Sequence, residues 1–316
     1  MSKPITSVAI IGGGFMGAGI AETAAVAGFP VVVRELPEYL DATNQRLGTS
    51  LERAVKRGKL DAADRDSALA RITLTSELKD VSGAELLIEA VSENVELKTS
   101  IMKALDEVVD DQALIASNTS AIPIAQLAGV VHNPERVLGL HFFSPVPVMG
   151  LVEIVCALDT SDETVNRART FVERLGKHAI ETKDRSGFIV NFLLIPYLMA
   201  AVRMYEEGFA SREHIDEGMR LGAGHPMGPL TLCDFIGLDV LHAVCNSLFE
   251  EFKRDEYAPP PLMKRMIAAG RLGKKSGRGF YDYAAPASSV LPTDETLNLL
   301  EIGVSGKPVL AVSRSS

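Results

Sequence analysis

Cysteine is scarce in this sequence: three among 316 residues, Cys156, Cys233 and Cys245, with no C-x-x-C spacing. A disulfide framework is thereby excluded, no metal is expected, and three buried, reduced thiols in apolar contexts suit a reducing compartment. Positive charge is also short. Lys and Arg number 32 against 41 Asp and Glu, a net charge of −9, and no dense basic stripe reverses that balance, so a general nucleic-acid binder is excluded. No apolar run reaches the length of a membrane span. The longest, Phe188–Val202, is interrupted by Asn191, Pro196 and Tyr197 and reads as a buried helix. The opening MSKPITSVAI enters a strand almost at once, which leaves no room for a targeting peptide and makes the cytoplasm the expected location. Internal repeats and low-complexity tracts are missing too. What remains, 47% apolar and 23% charged, is an ordinary globular composition on a chain long enough for two domains.

The most informative stretch is SVAIIGGGFMGAGIA, residues 7–21. A short apolar strand runs into Gly12-x-Gly14-x-x-Gly17, and small residues then open a helix, which is the dinucleotide fingerprint in its required context. Gly12 permits the tight turn, Gly14 lets backbone amides approach a pyrophosphate, and Gly17 lets helix and strand pack closely. The helix N-terminus adds unpaired donors and a positive dipole end. Glu35 closes a second apolar run, Pro30–Val33, where an acid would accept from the ribose hydroxyls of the adenosine. Arg34 stands beside it, but the carboxylate would repel a ribose phosphate, so NAD is favoured over NADP.

Beyond this unit the pattern keeps alternating. Tyr39–Leu60 has helical periodicity and carries Arg53, Lys56, Arg57 and Lys59, either a solvated helix face or a landing site for a polyanionic substrate handle. Strands are expected at Leu86–Val91, Ala113–Ala116, Val137–Phe143, Leu151–Ala157 and Ala179–Thr182, with helices between. Ligands in such a sheet sit beyond the carboxyl ends of its strands, where Glu93 and Ser120 fall. From Phe188 onward the pattern is helix after helix. Three segments follow: a Rossmann-type α/β domain over 1–186, an all-α domain over 187–285, and a poorly ordered tail over 286–316.

Hydride transfer from an alcohol needs a base with a pKa near working pH. His141 ends one strand, and Glu153 is the one charge in the apolar strand LVEIVCA. They are equidistant from Pro147, so back-to-back pairing of the two strands would make them face each other. A lone histidine reads first as a core or surface residue; a buried carboxylate that needs a companion reverses that reading. Asn191, inside the run FIVNFLLIPYL, is either a paired polar residue between helices or a donor aimed at a substrate oxygen.

These motifs together resemble the L-3-hydroxyacyl-CoA dehydrogenase family, including the 3-hydroxybutyryl-CoA dehydrogenases. The resemblance is carried by the glycine fingerprint, ASNTSA (116–121), GLHFFSPVPVMGLVEI (139–154), GFIVN (187–191), GAGHPMGPLTLCDFIGLD (222–239) and GKKSGRGFYDY (273–283). It implies an NAD-binding α/β domain, a helical domain that forms a homodimer, and NAD-linked oxidation of a 3-hydroxyacyl-CoA together with the reverse reduction. It makes His141 the general base and Glu153 its orienting carboxylate, with Ser120 and Asn191 at the reacting region. Gly12, Gly14, Phe15, Met16, Gly17, Glu35, Glu93, Lys98, Ser120, Ser144 and Lys275 would serve the cofactor, and Ser50, Arg57 and Ser120 the CoA substrate. This chain has Ser144 where the family commonly has Asn, and Ala121 where it has a second serine. The rival readings are a sugar-acid dehydrogenase of the related gulonate type and a non-catalytic structural relative. HFFSPVPVM and the basic cluster favour CoA over the first; the intact Ser120, His141, Glu153 and Asn191 speak against the second.

Overall fold

Residues 3–283 are described by the structure, a computed structural model; the expected tail, 286–316, lies outside them. The chain opens with β1 (Val8–Ile11), α1 (Phe15–Val26), β2 (Val31–Arg34), α2 (Leu40–Lys56), α3 (Ala62–Ala70) and β3 (Ile72–Thr75). A second series follows: β4 (Leu86–Glu89), α4 (Val95–Val108), β5 (Leu114–Ser117), α5 (Ile124–Ala128), β6 (Val137–Phe142), β7 (Leu151–Cys156), α6 (Asp162–Arg174) and β8 (His178–Lys183). The eight strands form one sheet in the order β3-β2-β1-β4-β5-β6-β7-β8. The first six run parallel, β7 turns back antiparallel on β6, and β8 runs parallel to β7. The strand order reverses between β1 and β4, the point at which open parallel sheets form their nucleotide crevice.

β1, β4 and β5 are buried along their whole length, as strands covered by helices on both faces must be. The two faces feed two cores. Val8 and Ile10 pack with α1, α2 and α6 residues such as Ile20, Leu47 and Phe171. Ala9 and Ile11 pack with Met102, Leu105 and Leu127 of α4 and α5. Asn94 and Ser161 cap α4 and α6 by accepting from Leu97 and Thr164, which places the starts of both helices.

The compact units divide at Phe192/Leu193, six residues past the expected boundary, because the backbone of residues 189–190 is bonded to the sheet, as described below. Helix α7 is Val190–Glu206; it starts two residues later than the apolar run suggests, since Phe188 has a left-handed φ of 46°. The second unit holds α8 (Arg212–Glu217), α9 (Pro229–Ile236), α10 (Leu238–Phe252) and α11 (Pro261–Ala268). Ser211 caps α8 by accepting from the His214 backbone at 3.2 Å, and the helix gives way to a π-turn over Gly218–Gly222. In this unit Asp234 accepts from the backbone of Phe280 and Tyr281 and from the Tyr283 hydroxyl, all at 2.8–3.0 Å, and so ties the end of the described chain to α9. Among the described residues no single helix is long and apolar enough to cross a membrane, and the three cysteines are free.

Candidate active site

At the carboxyl edge of the sheet the β6–β7 ladder pairs His141 directly with Glu153. His141 Nδ1 lies 2.6 Å from Glu153 Oε2, and neither residue is more than 6% exposed. The other oxygen, Oε1, accepts from the backbone N–H groups of Ile189 and Val190, each at 3.0 Å. These amides belong to the N-terminal end of α7, whose dipole favours a negative charge there. Both Glu153 oxygens are thus committed to donors, as a buried carboxylate requires. With Nδ1–H given to Glu153, Nε2 is the imidazole nitrogen left to accept a proton. The ring is held between Phe143 and Phe188, with centroids 4.6 and 5.3 Å away. Phe188 reaches this position through its left-handed backbone, next to Gly187 at φ 77°.

The loop after β5 brings Ser120 to the same edge. Asn118 accepts from the Phe142 backbone at 2.9 Å, which ties this loop to the end of the His141 strand. Beneath it runs a buried network that sequence reasoning did not find. Glu89, fully buried at the end of β4, accepts from Lys98 Nζ at 2.7 and 3.0 Å and from the Ser117 hydroxyl at 2.6 Å. Lys98, 1% exposed, also reaches the Val91 carbonyl and Glu93 Oε2, both at 3.2 Å. Glu93 accepts from the Thr119 hydroxyl and, at 3.3 Å, from the Ser120 backbone. Lys98 therefore spends its three donors on the protein and fixes Glu93, which in turn fixes the Ser120 loop. The available signal was Glu89 itself, an acid closing the otherwise apolar run LLIE.

The glycine loop fits a dinucleotide on its own geometry. Gly12 has φ 101°, and a Cβ there would come within 2.8 Å of the Ala90 carbonyl oxygen; a Cβ on Gly17 would lie 1.8 Å from the Gly12 oxygen. The fold itself demands both glycines. Gly14 is different: a Cβ there would meet nothing within 4 Å, and as N-cap of α1 it offers no side-chain acceptor to the first-turn amides. Open space in front of unclaimed donors is the cradle a phosphate needs. Glu35 stands at the rim, one oxygen accepting from Gly13 N–H and the other from Leu36 N–H, both at 2.7 Å. The Gly13 carbonyl is held by the Thr43 hydroxyl at 3.0 Å and by Arg46 at 2.7 Å. Arg34 turns away to the Ser76 carbonyl at 3.2 Å.

Residues 7–185 match the family profile of the 3-hydroxyacyl-CoA dehydrogenase NAD-binding domain, and residues 187–283 that of its C-terminal domain. The chain belongs to the 3-hydroxyacyl-CoA dehydrogenase family. It is 51% identical over 286 residues to the 3-hydroxybutyryl-CoA dehydrogenase of Mycobacterium tuberculosis, a match covering 90% of this chain and 100% of that one. A probable 3-hydroxybutyryl-CoA dehydrogenase of Bacillus subtilis is 43% identical over 285 residues, 90% and 99% of the two chains. The crystal structure of (S)-3-hydroxybutyryl-CoA dehydrogenase PaaH1 from Ralstonia eutropha superimposes with a TM-score of 0.85 at 45% identity, covering 89% of this chain and 99% of that one.

In this member of the family, Phe15 and Met16 open α1, Phe15 exposed and Met16 half-buried. Asn191 is the second residue of α7, next to Val190 on the Glu153 anchor; it is half-buried instead of deep in the helix core. Ser144 is exposed in the turn after β6. Ser50 and Arg57 lie near the end of α2, both half-buried, and Ser50 bonds the side chain of Glu22 on α1. Lys275 belongs to the second unit, where it pairs with Asp239 at 2.6 Å.

Proposed function

We propose that this protein is an NAD-dependent (S)-3-hydroxyacyl-CoA dehydrogenase that interconverts short 3-hydroxyacyl-CoA esters, such as 3-hydroxybutyryl-CoA, with their 3-oxo forms. The observation that carries the reading is the buried His141–Glu153 pair at 2.6 Å, standing at the sheet edge that also carries the glycine loop. NAD⁺, when bound, supplies the hydride acceptor. The first-turn amides of α1 would meet its pyrophosphate, Glu35 would accept from its ribose, and Glu93, held by Lys98, with Ser144 would complete its surroundings.

In oxidation His141 Nε2 takes the proton of the C3 hydroxyl, and the Glu153 charge stabilises the imidazolium that results. In reduction the same imidazolium returns the proton to the oxygen on C3. Ser120 and Asn191 donate to the substrate oxygens, meeting developing charge with fixed dipoles. Ser50 and Arg57 receive the CoA moiety, and the basic residues around them suit its phosphates. A homodimer built on the helical unit belongs to this reading, supported by Leu193, Phe209 and Leu221, which are 65%, 78% and 79% exposed. So does a cytoplasmic location, which free cysteines suit.

The test is acetoacetyl-CoA-dependent oxidation of NADH. Wild-type protein turns over with the CoA ester and not with free acetoacetate. His141→Gln lowers kcat by about 10³-fold, within the range of general acid–base catalysis, and leaves the NADH dissociation constant within about twofold. Turnover by His141→Gln at the wild-type rate would overturn the assignment.

A further inference from the structure

Lys177 lies between α6 and β8 and is 8% exposed. Its ammonium donates to two backbone carbonyls, Val146 at 2.6 Å and Met149 at 2.7 Å. Both belong to the turn of residues 143–150 that joins the His141 strand to the Glu153 strand. Pro145 and Pro147 deprive this turn of two N–H donors. Its internal bonds both run to the Pro145 carbonyl, from Val148 and Met149 at 3.0 Å. On its other side the turn packs against α1, where a Cβ at Gly19 would stand 3.0 Å from Val146 Cβ. The residue after Lys177 adds one more tie, His178 N–H to the Gly150 carbonyl at 2.7 Å.

Among the described residues no carboxylate pairs with Lys177. The turn holds no titratable side chain. On α1 the acidic residue is Glu22, whose influences are Ser50 and Arg53 of α2, and the flanking Glu173, Arg174 and His178 are exposed. Burial pushes the ammonium down to about 8. An unpaired buried cation is costly, and an apolar side chain would pack there more cheaply, so the charge is explained by the two carbonyls it holds.

We propose that Lys177 is a positioning residue for the dehydrogenase reaction, clamping the 143–150 turn against α1 so that Ser144 and Val146 form a fixed wall beside the nucleotide site. That the wall serves the nicotinamide half of the cofactor rests on the NAD reading above. Below pH 8 the charged clamp holds two carbonyls; above it the neutral amine donates more weakly and the turn loosens. Cofactor affinity therefore weakens on the alkaline side, with no change at the CoA-binding residues of α2.

The experiment is titration of the intact protein with NADH, followed by fluorescence, from pH 6.5 to 9.5. Wild-type protein should bind evenly to pH 7.5 and about fivefold more weakly by pH 9.5. Lys177→Met should bind about tenfold more weakly at pH 7, the loss expected for a charge-assisted hydrogen bond, and show no alkaline decline. Lys177→Arg, charged throughout, should bind like wild type at pH 7 and keep that affinity at pH 9.5. CoA should bind all three proteins equally. A wild-type affinity that stays flat to pH 9.5 overturns the proposal even if Lys177→Met fails to fold, and so does a folded Lys177→Met that binds NADH as wild type does. Wild-type protein that binds no NADH at any pH overturns the NAD reading itself.

Discussion

Glu153 illustrates why a single oxygen decides the chemistry here. Its Oε1 is taken by two backbone amides of the α7 N-terminus and its Oε2 by His141 Nδ1. Glu153→Gln keeps the shape but has one acceptor instead of two. The backbone amides can only donate, so the glutamine oxygen stays with them and its NH₂ faces the imidazole. His141 Nδ1 must then accept, which moves the ring proton to Nε2, the atom that has to take the substrate proton. The wrong tautomer and the lost charge act together, as they do in other His–carboxylate pairs. We expect kcat in acetoacetyl-CoA reduction to fall 10²- to 10⁴-fold, with NADH binding preserved. A variant within threefold of wild type would remove Glu153 from the mechanism.

At the scale of elements, the glycine loop separates what the fold needs from what a ligand needs. A Cβ at Gly17 would collide with the Gly12 carbonyl at 1.8 Å, whereas one at Gly14 meets open space. Gly17→Ala should therefore lower the melting temperature by several degrees, since forced overpacking costs about 1–3 kcal/mol. Gly14→Val should leave melting within about 2 °C and weaken NADH at least tenfold by blocking the amides. Equal losses of stability in both variants would contradict this division of labour.

The same scale shows what the sequence made legible. A two-strand return about Pro147 has one natural register, so equidistance was enough to pair His141 with Glu153. The fully buried parallel strands announced themselves as apolar runs. The edge strand β3 did not: Ile72–Thr75 is only half-buried and follows α3 inside a polar stretch. The Glu89–Lys98–Ser117 network was equally hidden, since strand β4, helix α4 and strand β5 meet there only in three dimensions. Asn191 read as a buried helical residue because Phe188, whose backbone turns left-handed, looked like part of the helix.

Across the whole molecule, two buried ionisable groups make stability depend on pH in opposite senses. Lys177 is held below its usual value, at about 8, so between there and its unfolded value near 10.4 the unfolded chain binds more protons and this group's contribution to stability rises with pH. Glu22, on α1, is 4% exposed; burial raises it to about 7, only partly opposed by its bond to Ser50 and by Arg53. Below the unfolded carboxyl value near 4.3 Glu22 is protonated in both states and costs nothing. As pH rises toward 7 the unfolded chain ionises it first, so stability from this group falls progressively across that window and stays low above it. The full cost is on the order of 3–4 kcal/mol. Glu22→Gln keeps an acceptor for Ser50 and never ionises, so denaturant unfolding at pH 8 should find it more stable than wild type by about 2 kcal/mol. At pH 4.5 the two should differ by less than about 0.5 kcal/mol. A Gln variant less stable than wild type at pH 8 would mean that the ionised Glu22, beside Arg53, is a net stabilising pair instead of a buried cost.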